Sequence, residues 1–247
     1  MSFSYNGESF SGYQIQKNRR TVEEEIEKVL TKLNHDQYVK IYASGRTDAK
    51  VHAYLQTAHF DFEHINVENL IYKLNQMLPE DIYIKKIEEV KEDFHARYTK
   101  KRKTYVYKIN CGEYDPFTIH TIFQYNKHLD VENMKKAISF FIGEHDFSSF
   151  TKMSRKYENT IRIIYEAVIR EENNILEIEF TGNGFLQYMV RNMVGFLIEV
   201  GEGKRMPKEV MEVLEKKNRK YATFTAKPAG LYLKNVEYDR KIEDNRT

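Results

Sequence analysis

Apolar residues recur three and four positions apart at Val22, Ile26, Val29, Leu30 and Leu33, with Glu and Lys between them. That spacing lays one apolar stripe along a helix. Thr21-Val22-Glu23-Glu24 just ahead reads as a capping box, with Thr21 at N-cap and Glu24 at N3. The same period predicts a helix over 67–78, with Asn66 as N-cap and Pro79 just beyond. Asp130 heads another, carrying Met134, Ala137, Ile138 and Phe141 and ended by Gly143. Residues 185–200 are apolar at a period near 3.6 and read as a buried helix, with Gly201 as C-cap. Pro207 opens a short last helix. Strand-like runs fall at 38–43, 82–87, 104–110, 160–170, 175–181 and 231–238.

Helices and strands therefore alternate along the chain, and no Pro/Gly/Ser-rich linker interrupts them. Grouped strands with few tight βαβ spacings predict an α+β fold with a mostly antiparallel sheet. The division into halves is placed near 112–116, giving 1–112 and 113–247. A chain of 247 residues, 41% apolar, suffices for one large domain or two small ones. It contains no run of eighteen apolar residues, so no membrane span is expected. Its first residues lack the basic-then-apolar order of a secretory signal, and a single cysteine, Cys111, excludes an intramolecular disulfide. These features point to the cytoplasm.

The net charge is only +2, so attraction of a nucleic acid would have to come from local patches. Such patches are Lys17-Asn18-Arg19-Arg20, Lys100-Lys101-Arg102-Lys103, Lys152 with Arg155 and Lys156, and Lys204-Arg205. Each reads either as the lining of a groove or as an ordinary solvated face. Tyr and Phe are abundant and Trp is absent. Most of these rings are expected in the core, but the type can also stack on bases.

The densest chemistry lies in Ala43-Ser44-Gly45-Arg46-Thr47-Asp48-Ala49-Lys50-Val51-His52-Ala53, which follows a β-type run. Polar clusters at strand ends are where enzymes hold reactive groups. On spacing alone, Asp48 reads first as a turn residue after Gly45. Its alternative is a catalytic carboxylate, which in a water-poor pocket needs a nearby cation to stay ionised. Arg191 is the candidate cation. It sits inside the apolar segment 185–195, where an unpaired Arg is costly unless it snorkels to the surface. Tyr105 and Tyr107 share one side of a strand and read as core aromatics. Arg46 reads as a phosphate contact or a surface ion pair, and His52 as a structural group. His52, His59 and His64 lack zinc-type spacing to Cys or carboxylates, so no metal is expected.

The run from Gly45 to Ala53 closely resembles the G-R-T-D-A-G-V-H-A catalytic loop of the TruA-type tRNA pseudouridine synthases. Residues 185–195, with Arg191 in register, resemble that family's F-L-Y-H-M-V-R-N-x-V-G. Residues 103–107 resemble its R/K-T-Y-x-Y, and Phe94-His95-Ala96-Arg97 its F-x-A-R. Residues 5–16 resemble Y-D-G-x-x-F-x-G-W-Q-x-Q, residues 143–150 resemble G-x-H-D-F-x-x-F, and residues 225–231 resemble A-P-A-x-G-L with the Pro shifted. The matches run in order from Tyr5 to Tyr232 and together are specific. The resemblance implies two ferredoxin-like halves joined into one continuous, mostly antiparallel sheet with an RNA-binding cleft between them. It implies that Asp48 acts on the ribosyl part of a uridine, that Arg191 pairs with it, and that Tyr105 packs on the base, placed for proton transfer. Arg46 would help to extrude the base. The implied substrate is a uridine of the tRNA anticodon stem-loop, positions 38 to 40, with no cofactor and with a homodimer as the working form.

Three departures stand out. Lys50 replaces the loop's second glycine, Tyr13 replaces a tryptophan, and Gln187-Tyr188 replaces Tyr-His. If residue 50 needs a positive φ, lysine there costs about 1 kcal/mol or more. Lys50 also motivates a second reading, a catalytically weak RNA-binding paralogue of the same fold.

Overall fold

In the computed structural model, described for residues 1–62, 66–152 and 158–238, every strand joins one ten-stranded sheet. The first unit runs β1 (Ser2–Tyr5), α1 (Val22–Leu33), β2 (Tyr42–Ala43), β3 (His52–His59), α2 (Val67–Met77) and β4 (Ile82–Lys86). Its spatial order is β4-β1-β3, with β2 on β3. The second runs β5 (Lys101–Asn110), β6 (Phe123–Gln124), α3 (Val131–Ser139), β7 (Gly143–Asp146), β8 (Ile161–Glu172), β9 (Ile175–Gly182), α4 (Met189–Gly201), α5 (Glu209–Lys216) and β10 (Leu231–Tyr238). Its order is β10-β5-β9-β8-β7, with β6 on β5. Apart from the short β6 and β7 and the added helix α5, each unit reads β-α-β-β-α-β with the last strand beside the first, the ferredoxin-like arrangement. Among the described residues, only β10–β3 and β6–β5 pair in parallel. The fold is α+β with the mostly antiparallel sheet expected.

The seam between the units decides where chemistry can sit. One edge of β3 is taken by β1. Its other edge is shared: β2 pairs at His59 and Ala58, and β10 at His52 and Ala53. The chain between β2 and β3, residues 44–51, therefore emerges where the two units meet. Phe3, Ile26, Leu30, Leu74, Phe141, Phe180 and Phe196 are among the fully buried side chains that hold the helices to the sheet. Deep burial of this kind contributes roughly 1.5–3 kcal/mol per large apolar side chain.

Several local expectations hold. Asn66 Oδ1 accepts from the Asn69 amide at 3.0 Å, and Asp130 Oδ1 from the Asn133 amide at 2.9 Å. Others change. Thr21 is the N-cap of α1, but its buried hydroxyl has no partner. The Val22 and Glu23 amides are instead taken by the Gly12 and Tyr13 carbonyls, because the preceding loop crosses the helix start. The strand over 38–43 shrinks to Tyr42–Ala43. Side chains of α1 take up the backbone before it: Thr31 Oγ1 accepts from Val39 N, and Glu27 from Ile41 N and the Tyr38 hydroxyl. The helix expected over 185–200 starts only at Met189, since Tyr188 has φ +63°. Gly201 is not its C-cap but its last residue; a Cβ there would lie 2.7 Å from Met134 Sδ of α3. Arg155, Lys156 and His64 lie outside the described residues. Among the described residues, no helix is long and apolar enough to cross a membrane.

Candidate active site

The loop 44–51 is fixed by hydrogen bonds from several elements before any ligand is considered. The Ser44 amide donates to Thr57 O at 2.7 Å, and its hydroxyl to Gln56 Oε1 at 2.7 Å. Gln56 Nε2 returns a bond to Gly45 O at 3.1 Å. Lys103 Nζ, from β5, donates to Ser44 O at 2.7 Å. At Gly45 a Cβ would stand 2.3 Å from that ammonium and would displace it. The Tyr5 hydroxyl meets Thr47 Oγ1 at 2.8 Å. Beyond Asp48 the chain turns back, with Val51 N donating to Asp48 O at 3.2 Å. The third residue of that turn is Lys50, at φ +63°. This is a position where glycine is the default, so the strain expected of lysine is present.

The loop forms one wall of a cleft of about 1450 Å³ lined by both units. Asp48 Oδ2 lies 3.7 Å from Arg191 Nη1, and the two side chains are 16% and 12% exposed. Burial pushes the Asp48 carboxyl above the usual aspartate range. The Arg191 guanidinium, Lys152 and a hydrogen bond from Gln187 pull against that push without cancelling it. The 3.7 Å separation is a charge contact rather than a tight hydrogen bond.

Arg191 is held from its own side of the cleft. Its Nε donates to Ala226 O at 2.7 Å, and the Ala226 amide returns a bond to Arg191 O at 3.0 Å. Asn192, fully buried, ties the same layer together, donating to Phe150 O and accepting from Thr225 and Arg219. Gly195 lets the segment ahead of β10 close on α4, since a Cβ there would stand 2.3 Å from Phe224 O. The guanidinium carbon sits 4.9 Å from the centre of the Tyr188 ring, with Lys152 Nζ 5.2 Å from the same ring. The αL turn at Tyr188 thus supplies Arg191 with a cation–π partner.

Tyr105 lies on β5 two residues after Lys103, on the same cleft-facing side. It is buried, meets Phe185 edge to face at 5.0 Å, and its hydroxyl is pushed up by burial and by the nearby Tyr5 and Asp48. Tyr107 shares that side but lies deeper, its hydroxyl donating to Lys227 O, and does not line the cleft. Arg46 is exposed on the cleft wall. His52 does not line the cleft; its Nδ1 accepts from Gly7 N at 3.0 Å and its ring stacks on Tyr232. Asp48, Arg46, Arg191 and Tyr105 therefore face one cavity.

A profile of the family described as tRNA pseudouridine synthase matches residues 1–99 and 137–239. The chain belongs to the tRNA pseudouridine synthase family. It is 43% identical over 239 residues to tRNA pseudouridine synthase A of Anoxybacillus flavithermus, covering 96% of this chain and 97% of that protein. The corresponding protein of an Exiguobacterium species is 45% identical over 238 residues, with 96% of both chains covered. That of Streptococcus uberis is 43% identical over 242 residues, covering 96% of this chain and 97% of that protein.

Two groups at the family cleft escaped the reading of the sequence. Lys103 was legible only as part of a basic run. Yet it is 8% exposed, and burial together with Lys101 and Arg97 pushes its amine down to about 7. The period of β5, which sets 101, 103 and 105 on one side, was the available signal. Gln187 stood in a segment expected to be helical, and the αL break at Tyr188 is what frees it to reach Asp48. Lys50→Gly is expected to leave the fold intact and to raise stability by up to about 1 kcal/mol, as relief of the αL strain outweighs glycine's unfolded-state entropy. The urea midpoint measures this, and a fall in midpoint would mean that the Lys50 side chain makes a contact worth more than the strain.

Proposed function

We propose that this chain isomerises uridine to pseudouridine in tRNA, with Asp48 as its catalytic carboxylate. The observation that carries the reading is a carboxylate and a guanidinium, both largely buried, facing each other at 3.7 Å in a cleft large enough for an extruded nucleotide. A carboxylate so placed can act on the ribosyl carbon or its 2′ proton while the N1–C1′ bond breaks. The uracil then turns, C5 bonds to C1′ and the C5 proton leaves, while N1 gains one. Arg191 keeps Asp48 ionised in surroundings that disfavour its charge. Tyr105 packs against the base and is placed for proton transfer. All the rearranged bonds lie within one nucleotide, so the chemistry requires no redox partner or phosphoryl donor.

Arg46 is suited to base extrusion. A stacked uridine cannot reach a cleft, so its unstacking must be helped and the gap filled. An exposed guanidinium two residues from Asp48 can stack and hold a phosphate at once. We infer that the target is the anticodon stem-loop, at positions 38 to 40, and that a homodimer working in the cytoplasm presents one RNA to both subunits. Strand pairing favours a division between the halves ahead of β5, since that strand lies between β10 and β9.

An unmodified tRNA transcript with uridine at 38, 39 and 40 is expected to gain pseudouridine at one or more of these positions when mapped by position. Asp48→Asn should give no product and bind the transcript nearly as tightly as the wild type; turnover near the wild-type rate in that variant would remove Asp48 from the mechanism. Arg46→Ala is expected to slow single-turnover conversion more than it weakens binding. Equal losses in both would make Arg46 an ordinary phosphate contact.

A further inference from the structure

One end of the cleft carries chemistry that the isomerisation does not use. The turn before β5, residues 95–99, is fixed at nearly every amide. Ala96 N donates to His59 Nδ1, Arg97 N to His95 Nδ1, His95 N to Thr99 Oγ1, and Tyr98 N and Thr99 N to His95 O. Lys101 Nζ reaches back from β5 to the carbonyls of Arg97 and Thr99. All this fixing presents a tyrosine to solvent: Tyr98 is 76% exposed and lines the cleft. Packing gains little from such a ring, so the turn is not built for the core. Beside it stand Arg97, with its guanidinium carbon 5.9 Å from the Tyr98 ring centre, and Lys101.

Three cations gather at this end. Among the described residues no carboxylate forms an ion pair with Arg97, Lys101 or Lys103. The carboxylates at the neighbouring wall, Glu23 and Glu27, already accept from Ile15, Tyr38 and Ile41. Burial first, and then the Arg97 charge, pushes the Lys101 amine down to about 8. A preorganised flat ring beside two cations matches the two faces of a nucleotide, the base and the phosphate.

We propose that Tyr98, with Arg97 and Lys101, forms a subsite for one unpaired RNA nucleotide next to the uridine that reacts. Tyr98 stacks on the base, and the two cations hold its phosphate. The rigidity of the turn means that little ordering remains to be done on binding. The subsite rests on the tRNA reading above and extends it: it predicts that the enzyme holds a splayed strand and not only a single flipped base.

The absence of tryptophan from the chain makes a direct test available. Tyr98→Trp introduces one indole, whose fluorescence is expected to be quenched by an anticodon hairpin with an open loop. A fully paired duplex of equal length and inorganic phosphate should leave it unchanged. Tyr98→Ala should weaken hairpin binding by roughly 5- to 100-fold at an unchanged salt slope, as loss of one stacked base does, and Tyr98→Phe should restore affinity. Lys101→Met should reduce the salt slope by about one phosphate contact. An unchanged thermal midpoint in Tyr98→Ala excludes a fold defect, as its exposure leads one to expect. Wild-type protein that converts tRNA while the indole stays unquenched by a bound hairpin, or while Tyr98→Ala binds normally, overturns the subsite alone. Wild-type protein that neither binds nor converts tRNA overturns the functional reading beneath it.

Discussion

A carboxylate that leaves water tends to take up a proton, and the layout of this molecule turns on preventing that at Asp48. The opposing cation must come from the other structural unit, because the loop that carries Asp48 emerges at the seam between them. Arg191 reaches across only because α4 is locked to the segment ahead of β10. Gly195 permits the close approach, Asn192 fastens the layer, and Ala226 grips both the backbone and the guanidinium of Arg191. The parallel pairing of β10 with β3 then sets one unit against the other. Separation of the units would part Asp48 from Arg191, and the continuous sheet keeps the two facing each other.

Two of the strained backbone positions lie at the same place. Lys50 at φ +63° and Tyr188 at φ +63° are both non-glycine residues in the left-handed region, one on each side of the Asp48–Arg191 pair. Each costs of order 1–2 kcal/mol and persists because its surroundings over-determine it. At Tyr188 the return is visible: the turn frees Gln187 to bond Asp48 and lays a ring against Arg191. Nothing in the structure explains why lysine stands at position 50.

Much of this was legible in the chain itself. The apolar periods located α1, α2, α3 and α4, and Leu231–Tyr238 was placed to the residue as a strand. The α+β class followed from how the strands group. Legibility failed where long-range partners replace local signals. Thr21 looks like a capping hydroxyl, but the cap is backbone from residues 12 and 13. Residues 38–41 look like a strand, but side chains of α1 claim the amides of Val39 and Ile41. The start of α4 was misplaced because Phe185 and Leu186 continue the apolar period of the helix while a single φ at Tyr188 reverses the chain. At the site, the loop of Asp48 and the register of Arg191 were readable from local motifs. The buried Lys103 was not, because its role depends on Ser44, 59 positions away in sequence.

The most direct test of the central claim is the titration of Asp48 itself, followed by carboxyl-carbon NMR in protein labelled at aspartate. Its folded-state value is expected above that of ordinary aspartates. On linkage, this group's contribution to stability declines as pH rises from the unfolded to the folded value. Arg191→Met is predicted to move the titration higher still, since burial then acts without its main counterweight. An Asp48 that titrates like an exposed aspartate, or one that does not respond to the loss of Arg191, would contradict the claim that this pair is what the fold is built to hold.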